Sequence, residues 1–281
     1  MKNINDRDLA ELSGFWVYQD LNKNKKFEVN NKNFIQVDGF DDSKNKNMNG
    51  ASDVKTFELL NDKNKPTGQQ VVVFQGTDNK ESINPYNPLK GKVADDWLQN
   101  IKLMNNHLKS TELINQNDRY FNDYKQKLKD ANNLSSNQFF RKYGDDAGKY
   151  KNKTIINTGG NSQGAIGAKY ESVKNPNLKA TTTDPATLPE ASWRNTRSGN
   201  HNNIINFHST YDILSWVQDP MFKNNPGKRV NLNDGIPTLE ALANNHLGYN
   251  RIFNKLHNTY KDIPVRKIKS VKDTVTKDGK K

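Results

Sequence analysis

The 281-residue chain has no cysteine. That excludes disulfides, iron–sulfur clusters, thiolate-bound zinc and thiol catalysis. Apolar residues are scarce too, at 32%, and no run approaches the roughly 18–20 residues a membrane-spanning helix needs. The first residues, Met1-Lys2-Asn3-Ile4-Asn5-Asp6-Arg7-Asp8, lack the apolar stretch of a cleavable secretory signal. Secretion is therefore expected to use a route without such a signal. So few apolar residues would suit a disordered chain, but they are clustered. Val71-Val72-Val73-Phe74 and Ile204-Ile205-Asn206-Phe207 are dense enough to form buried strands. The length fits one catalytic-sized domain with a short tail.

Charge is the clearest excess. Lys and Arg number 43 against 31 Asp and Glu, for a net charge of +12. Residues 261–281 hold eight basic and three acidic side chains. Such a surface favours anionic partners. The tail has no aromatic residue after Tyr260, whereas single-stranded nucleic-acid binding interleaves aromatics with basic residues. Nucleic acid is therefore not an expected partner, and the plain alternative for the tail is a solvated helix or linker.

Local patterns predict an amphipathic helix over 4–18, with Leu9, Leu12, Phe15 and Trp16 on one face. The Asn/Lys/Asp-rich stretch 19–53 reads as loops. Strands are expected at 55–60 and 69–75, around the turn 62–68. A polar loop follows at 79–94, and 95–133 reads mostly as helix. Strand 154–157, helix 163–173 and strand 179–183 come next, then strands at 204–207 and 228–232 and helix 238–255. Strands alternating with helices imply an α/β domain with a mostly parallel central sheet and helices on both faces. The expected organisation is an N-terminal helical and loop cap (1–54), a catalytic core (55–261) and a basic tail or linker (262–281).

The segment Thr154–Ala165 carries the chemistry. Gly160-Asn161-Ser162-Gln163-Gly164 is a Gly-x-Ser-x-Gly pentapeptide between a β-rich run and a helical run. This is the context of a nucleophile elbow, in which a serine is raised on a tight strand-to-helix turn. The bland reading is an ordinary glycine-rich turn that binds phosphate. A serine nucleophile needs a base and a carboxylate to orient that base, in the chain order Ser, acid, His. Of His201, His208, His246 and His257, His246 is the expected base, because it follows the final predicted strand near a loop able to fold over the sheet. Asp212, just beyond the strand 204–207, is the expected acid, with Asp184 and Asp219 as rivals. The oxyanion donors are expected to be the backbone N–H of Gln163 and that of Thr77, at the end of the strand Val71–Phe74. No metal or organic cofactor is required by this set.

Val72–Thr77 resembles the Phe-Arg-Gly-Thr strand end of the class 3 lipases, the fungal triacylglycerol lipase-like family. Asp96-Trp97 resembles the Asp-Trp helix that follows it there, and Thr182-Thr183-Asp184-Pro185 and Tyr211-Asp212-Ile213 fall in matching order. The resemblance spans residues 55–255. It implies an α/β-hydrolase fold and hydrolysis of lipid carboxylic esters, with the substrate met at a membrane or micelle surface. It also implies an apolar lid, for which 79–94 and 187–200 are the candidate segments. The chain departs from the family at Asn161 (usually His), Gln163 (usually Leu) and Gln75 (usually Arg). A Cys-free, Asn/Lys-rich domain of this kind also resembles the lipase toxins exported by staphylococcal type VII secretion, which implies export or accessory partners. Two other readings fit the same residues. One is a thioesterase or small-ester hydrolase, the other a non-catalytic basic module that binds membranes.

Overall fold

The computed structural model describes residues 3–19, 21, 24–40, 53–76, 107–188, 190–193, 201–209, 212 and 225–232. Among these, eight strands form one sheet in sequential order. They are β1 (Lys26–Val29), β2 (Lys32–Phe40), β3 (Val54–Leu60), β4 (Pro66–Phe74), β5 (Thr154–Asn161), β6 (Lys179–Thr183), β7 (Ile204–Ser209) and β8 (Lys228–Leu232). β1 to β4 pair antiparallel, and β4 to β8 pair parallel. The helices are α1 (Asp6–Gly14), α2 (His107–Asn133), α3 (Ser136–Tyr143) and α4 (Gly164–Lys174).

β4 shows why the parallel part reads as unbroken apolar runs. Its residues 70–74 are all buried. Val71 and Val73 pack with Leu9, Leu12, Phe57 and Leu59 beneath α1. Val72 and Phe74 point the other way, onto Phe121 of α2 and Ala168 of α4. Alternate side chains of a strand face opposite sides, and here both sides are covered. This is an α/β-hydrolase fold with helices on both faces of a mostly parallel sheet.

The scarcity of apolar residues is offset by buried hydroxyls and amides that find partners. The Thr158 hydroxyl donates to the Ala168 carbonyl at 3.0 Å. Thr182 donates to Asn206 Oδ1 at 2.7 Å, and Asn206 Nδ2 to the Pro226 carbonyl at 3.0 Å. A buried polar group costs little once it is hydrogen-bonded, so β5 to β7 can be threonine- and asparagine-rich and still lie in the core.

Two expectations for the N-terminal region are corrected. The stretch 19–53 is not simply loops, because β1 and β2 lie within it and join the sheet. Asn30 (φ 48°) and Asn31 (φ 62°) form the two-residue link between them. Two left-handed residues match the right-handed twist of a hairpin, and asparagine tolerates that conformation. The helix is also shorter than 4–18. It stops at Gly14, and a single 3₁₀ turn, Trp16–Tyr18, follows. That break lets Val17 enter the core and Trp16 lie against the Phe27 ring at 4.4 Å. α1 and the hairpin are thus integral to the core that the sequence reading assigned to 55–261. Asp8 of α1 is itself buried and pairs with Lys32 of β2.

Leu12 has no solvent exposure. Leu12→Ala is expected to destabilise the whole domain by about 2–5 kcal/mol, read from the urea unfolding midpoint. An unchanged midpoint would mean that the N-terminal helix is a dispensable cap.

Candidate active site

β5 runs into α4 through Ser162, and the backbone there takes an unusual shape. Ser162 has φ +52°, the left-handed region, which a non-glycine residue occupies at a cost of roughly 1–3 kcal/mol. Neighbouring backbone holds it there. The Ser162 N–H donates to the Thr183 carbonyl at 3.1 Å, and its own carbonyl accepts from Ala186 N–H at 2.9 Å and Ala165 N–H at 3.2 Å. The flanking glycines are dictated by proximity. A Cβ on Gly164 would strike the Phe74 carbonyl oxygen and lie 2.7 Å from the Gln75 carbonyl carbon, and one on Gly160 would run into the first turn of α4. The expected strand–elbow–helix is present, with Gln163 as the first residue after the serine (φ −62°, ψ −32°) at the helix start. It stands at the N-terminus of α4, where the helix dipole favours developing negative charge.

The carboxyl ends of the parallel strands gather the other groups. The chain leaving β4 lies against the serine, since a Cβ on Gly76 would sit 3.1 Å from Ser162 Cβ. Asp184 follows β6, buried and left-handed (φ 42°), and its N–H donates to the Phe207 carbonyl at 2.8 Å. His208 is the penultimate residue of β7, near the same edge, and is buried. Asp212 follows β7 and has no solvent exposure, so the expected acid is withdrawn from water near the edge that carries Ser162. Thr77, His246, Asp219 and His257, with the candidate lid 79–94 and residues 189 and 194–200 of the candidate lid 187–200, lie outside the described residues.

His201 is not the surface residue that its polar surroundings suggest. It is 5% exposed, and Trp193 meets it edge-on with ring centroids 5.6 Å apart. Burial lowers its pKa below the ordinary histidine value. It precedes β7, and therefore sits at the opposite sheet edge from Ser162.

Two contributors to the site escape a reading of the sequence. Tyr18 reaches the elbow from 143 residues away, donating to Asn161 Oδ1 at 3.1 Å. Asn161 itself, noted only as a departure from the lipase pattern, donates to both the carbonyl (3.0 Å) and the hydroxyl (3.1 Å) of Thr183. Neither contact has a local signal. Among the described residues, no group of three or more His, Asp or Glu is arranged to hold a metal ion.

Fold and elbow together define a protein of the α/β-hydrolase fold. No family model matches the chain, and no curated protein matches it. Among solved structures it is similar to lipase II from Rhizopus niveus, at 15% identity and a TM-score of 0.35, covering 72% of this chain and 68% of that one. It is also similar to the lipase from Rhizopus microsporus var. chinensis, at 14% identity and a TM-score of 0.38, covering 75% of this chain and 69% of that one. A third likeness is to the Rhizomucor miehei lipase–propeptide complex, at 14% identity and a TM-score of 0.26, covering 64% of this chain and 53% of that one.

A buried lysine braces the elbow from behind. Lys169 of α4 donates to the Ala186 carbonyl at 2.5 Å and to Asn225 Oδ1 at 3.0 Å, and Ala186 in turn donates to the Ser162 carbonyl. Burial lowers the Lys169 pKa from 10.5 to about 7. The unfolded chain keeps this proton up to the higher value while the folded chain releases it near the lower one. The lysine's contribution to stability therefore rises with pH between about 7 and 10.5. Lys169→Met removes that contribution. The stability of wild type relative to the variant is expected to grow as pH rises across this window, measured from urea midpoints on both proteins. A difference independent of pH would contradict a lysine held in this way.

Proposed function

We propose that this protein is a serine hydrolase that cleaves carboxylic esters of lipids through an acyl-enzyme. Ser162 Oγ attacks the ester carbonyl carbon and its proton passes to the His246 imidazole. Asp212 accepts the other imidazole N–H and stabilises the imidazolium. The backbone N–H groups of Gln163 and Thr77 take the negative charge of the tetrahedral oxygen. Collapse breaks the bond to the alcohol, which leaves with the proton from His246. Water then repeats the sequence on the acyl group and releases the carboxylic acid.

The single observation that carries this reading is the left-handed backbone at Ser162 (φ +52°), held between a parallel strand and a helix. An ordinary glycine-rich turn would put glycine at such a position, whereas a nucleophile elbow accepts the strain to present a hydroxyl. The buried carboxylate of Asp212, beyond the end of β7, supports the same assignment, as carboxylates of this kind orient a histidine from within the protein. The net charge of +12 favours an anionic lipid surface, so phospholipid is the proposed substrate class.

The test is release of fatty acid from phosphatidylglycerol vesicles, run beside labelling by a fluorophosphonate probe. Wild type is expected to do both. Ser162→Ala is expected to lose kcat by roughly 10⁵–10⁶-fold and to take no label, with an unchanged circular dichroism spectrum. Retained hydrolysis in Ser162→Ala would remove the assignment. Labelling of Ser162 with turnover of soluble short-chain esters or thioesters alone would move the substrate class away from lipids. A wild-type protein that binds the vesicles without labelling or turnover would make it a binding module.

A further inference from the structure

Tyr18 belongs to a segment with no catalytic signature, yet its hydroxyl lies at the junction of two strand ends. The Trp16–Tyr18 turn is anchored by Val17, which is wholly buried in the core under α1. From there the Tyr18 oxygen accepts from the Gly76 N–H at 3.1 Å, and its proton goes to Asn161 Oδ1, also at 3.1 Å. The directions are fixed by chemistry. An amide N–H only donates, so the phenol must accept from Gly76 and has its own proton left for Asn161. The Asn161 amide is oriented in turn, because its Nδ2 is committed to the carbonyl and hydroxyl of Thr183. The same Thr183 carbonyl accepts from the Ser162 N–H. One run of hydrogen bonds therefore links the Gln75–Gly76 peptide, just beyond the end of β4, to the backbone of the serine.

We infer that Tyr18 is a positioning residue for the oxyanion hole. By holding the Gln75–Gly76 peptide against Asn161, it fixes Gly76, the residue before the proposed Thr77 donor, beside the Ser162 elbow. This rests on the function proposed above. The Gly76 N–H is spent on Tyr18 and takes no part in binding the oxyanion. Without the hydroxyl, that N–H and Asn161 Oδ1 each lose a partner, and the Gln75–Gly76 peptide is free to rotate toward another acceptor. A donor displaced by about 1 Å from its productive position costs on the order of a hundredfold in rate, while substrate binding through other contacts is untouched.

The test is Tyr18→Phe in the full chain, assayed on a soluble p-nitrophenyl ester beside wild type and Ser162→Ala. The phenyl ring preserves the packing. Expected are a fall in kcat of about ten- to a hundredfold, a KM within about twofold of wild type, and an equal weakening of the affinity for an alkylboronic acid, which forms a tetrahedral adduct with a serine nucleophile. A purely structural role would lower the thermal midpoint and leave the kcat and boronate affinity of the folded fraction unchanged, and that result overturns the inference. Should Tyr18→Phe fail to fold, 3,5-difluorotyrosine at position 18 alone keeps the ring and hydroxyl but ionises at lower pH. The alkaline limb of kcat should then move to lower pH, and an unmoved limb overturns the inference. Activity remaining in Ser162→Ala sinks the hydrolase reading itself. An inactive Ser162→Ala beside a Tyr18→Phe with wild-type kinetics sinks only the role of Tyr18.

Discussion

The close approach of β5, α4 and the end of β4 is the constraint on which the rest of the site depends. At Gly160 and Gly164 there is no room for a Cβ, and the residue between strand and helix must bend through a left-handed conformation to make the turn. Ser162 accepts that conformation because three backbone hydrogen bonds hold it. Two of them involve the neighbouring strand end, Thr183 as the last residue of β6 and Ala186 beyond it. The strain at one residue is thus distributed over the carboxyl edge of the sheet. An exposed loop could not hold a serine this way, since its backbone would relax into solvent.

The same edge depends on a core built with unusually little hydrocarbon. Where a more apolar domain would interdigitate valine and leucine, β5, β6 and β7 bury Thr158, Thr181, Thr182 and Asn206 and satisfy them through hydrogen bonds. Such a core has directional requirements that an oily one lacks. α4 carries this furthest, with Gly164–Lys169 and Glu171–Val173 buried. Two of those side chains are ionisable. Burial lowers Lys169 to about 7. Burial first, and the charge of Asp118 second, raise Glu171 to about 9. Both are expected to be largely uncharged in mildly alkaline solution, which spares the helix two isolated buried charges.

Much of the fold was legible. Strands with dense β-branched runs, such as Val71–Phe74 and Ile204–Phe207, declared themselves, because burial on both faces demands continuous apolar residues. The elbow was readable from its glycines, and a turn before β4 was expected, but at 62–68, whereas β4 already begins at Pro66. β1 and β2 were not, because Lys26-Phe27-Glu28-Val29 buries only alternate residues (exposed, buried, exposed, buried) inside a polar stretch, and its Asn30-Asn31 turn lacks the usual glycine. The end of α1 at Gly14 was missed for another reason. Leu9, Leu12, Phe15 and Trp16 keep helical spacing, but Trp16 and Val17 gain more by packing against Phe27 and the strands than by continuing the helix.

For the site, the chain by itself determined the nucleophile candidate and the order of its partners, since both are encoded locally: a serine between two glycines, a strand before it and a helix after it. It also determined that Asp212 would follow a strand. Only the tertiary structure decided that Asp212 is withdrawn from water, that His201 is buried at the opposite sheet edge, and that Tyr18, Asn161 and Thr183 form one hydrogen-bonded run behind the serine. These depend on which residues meet across separations of tens to more than a hundred positions. A hydrogen bond is selected by distance and direction in space, and neither is written in the local pattern of the chain.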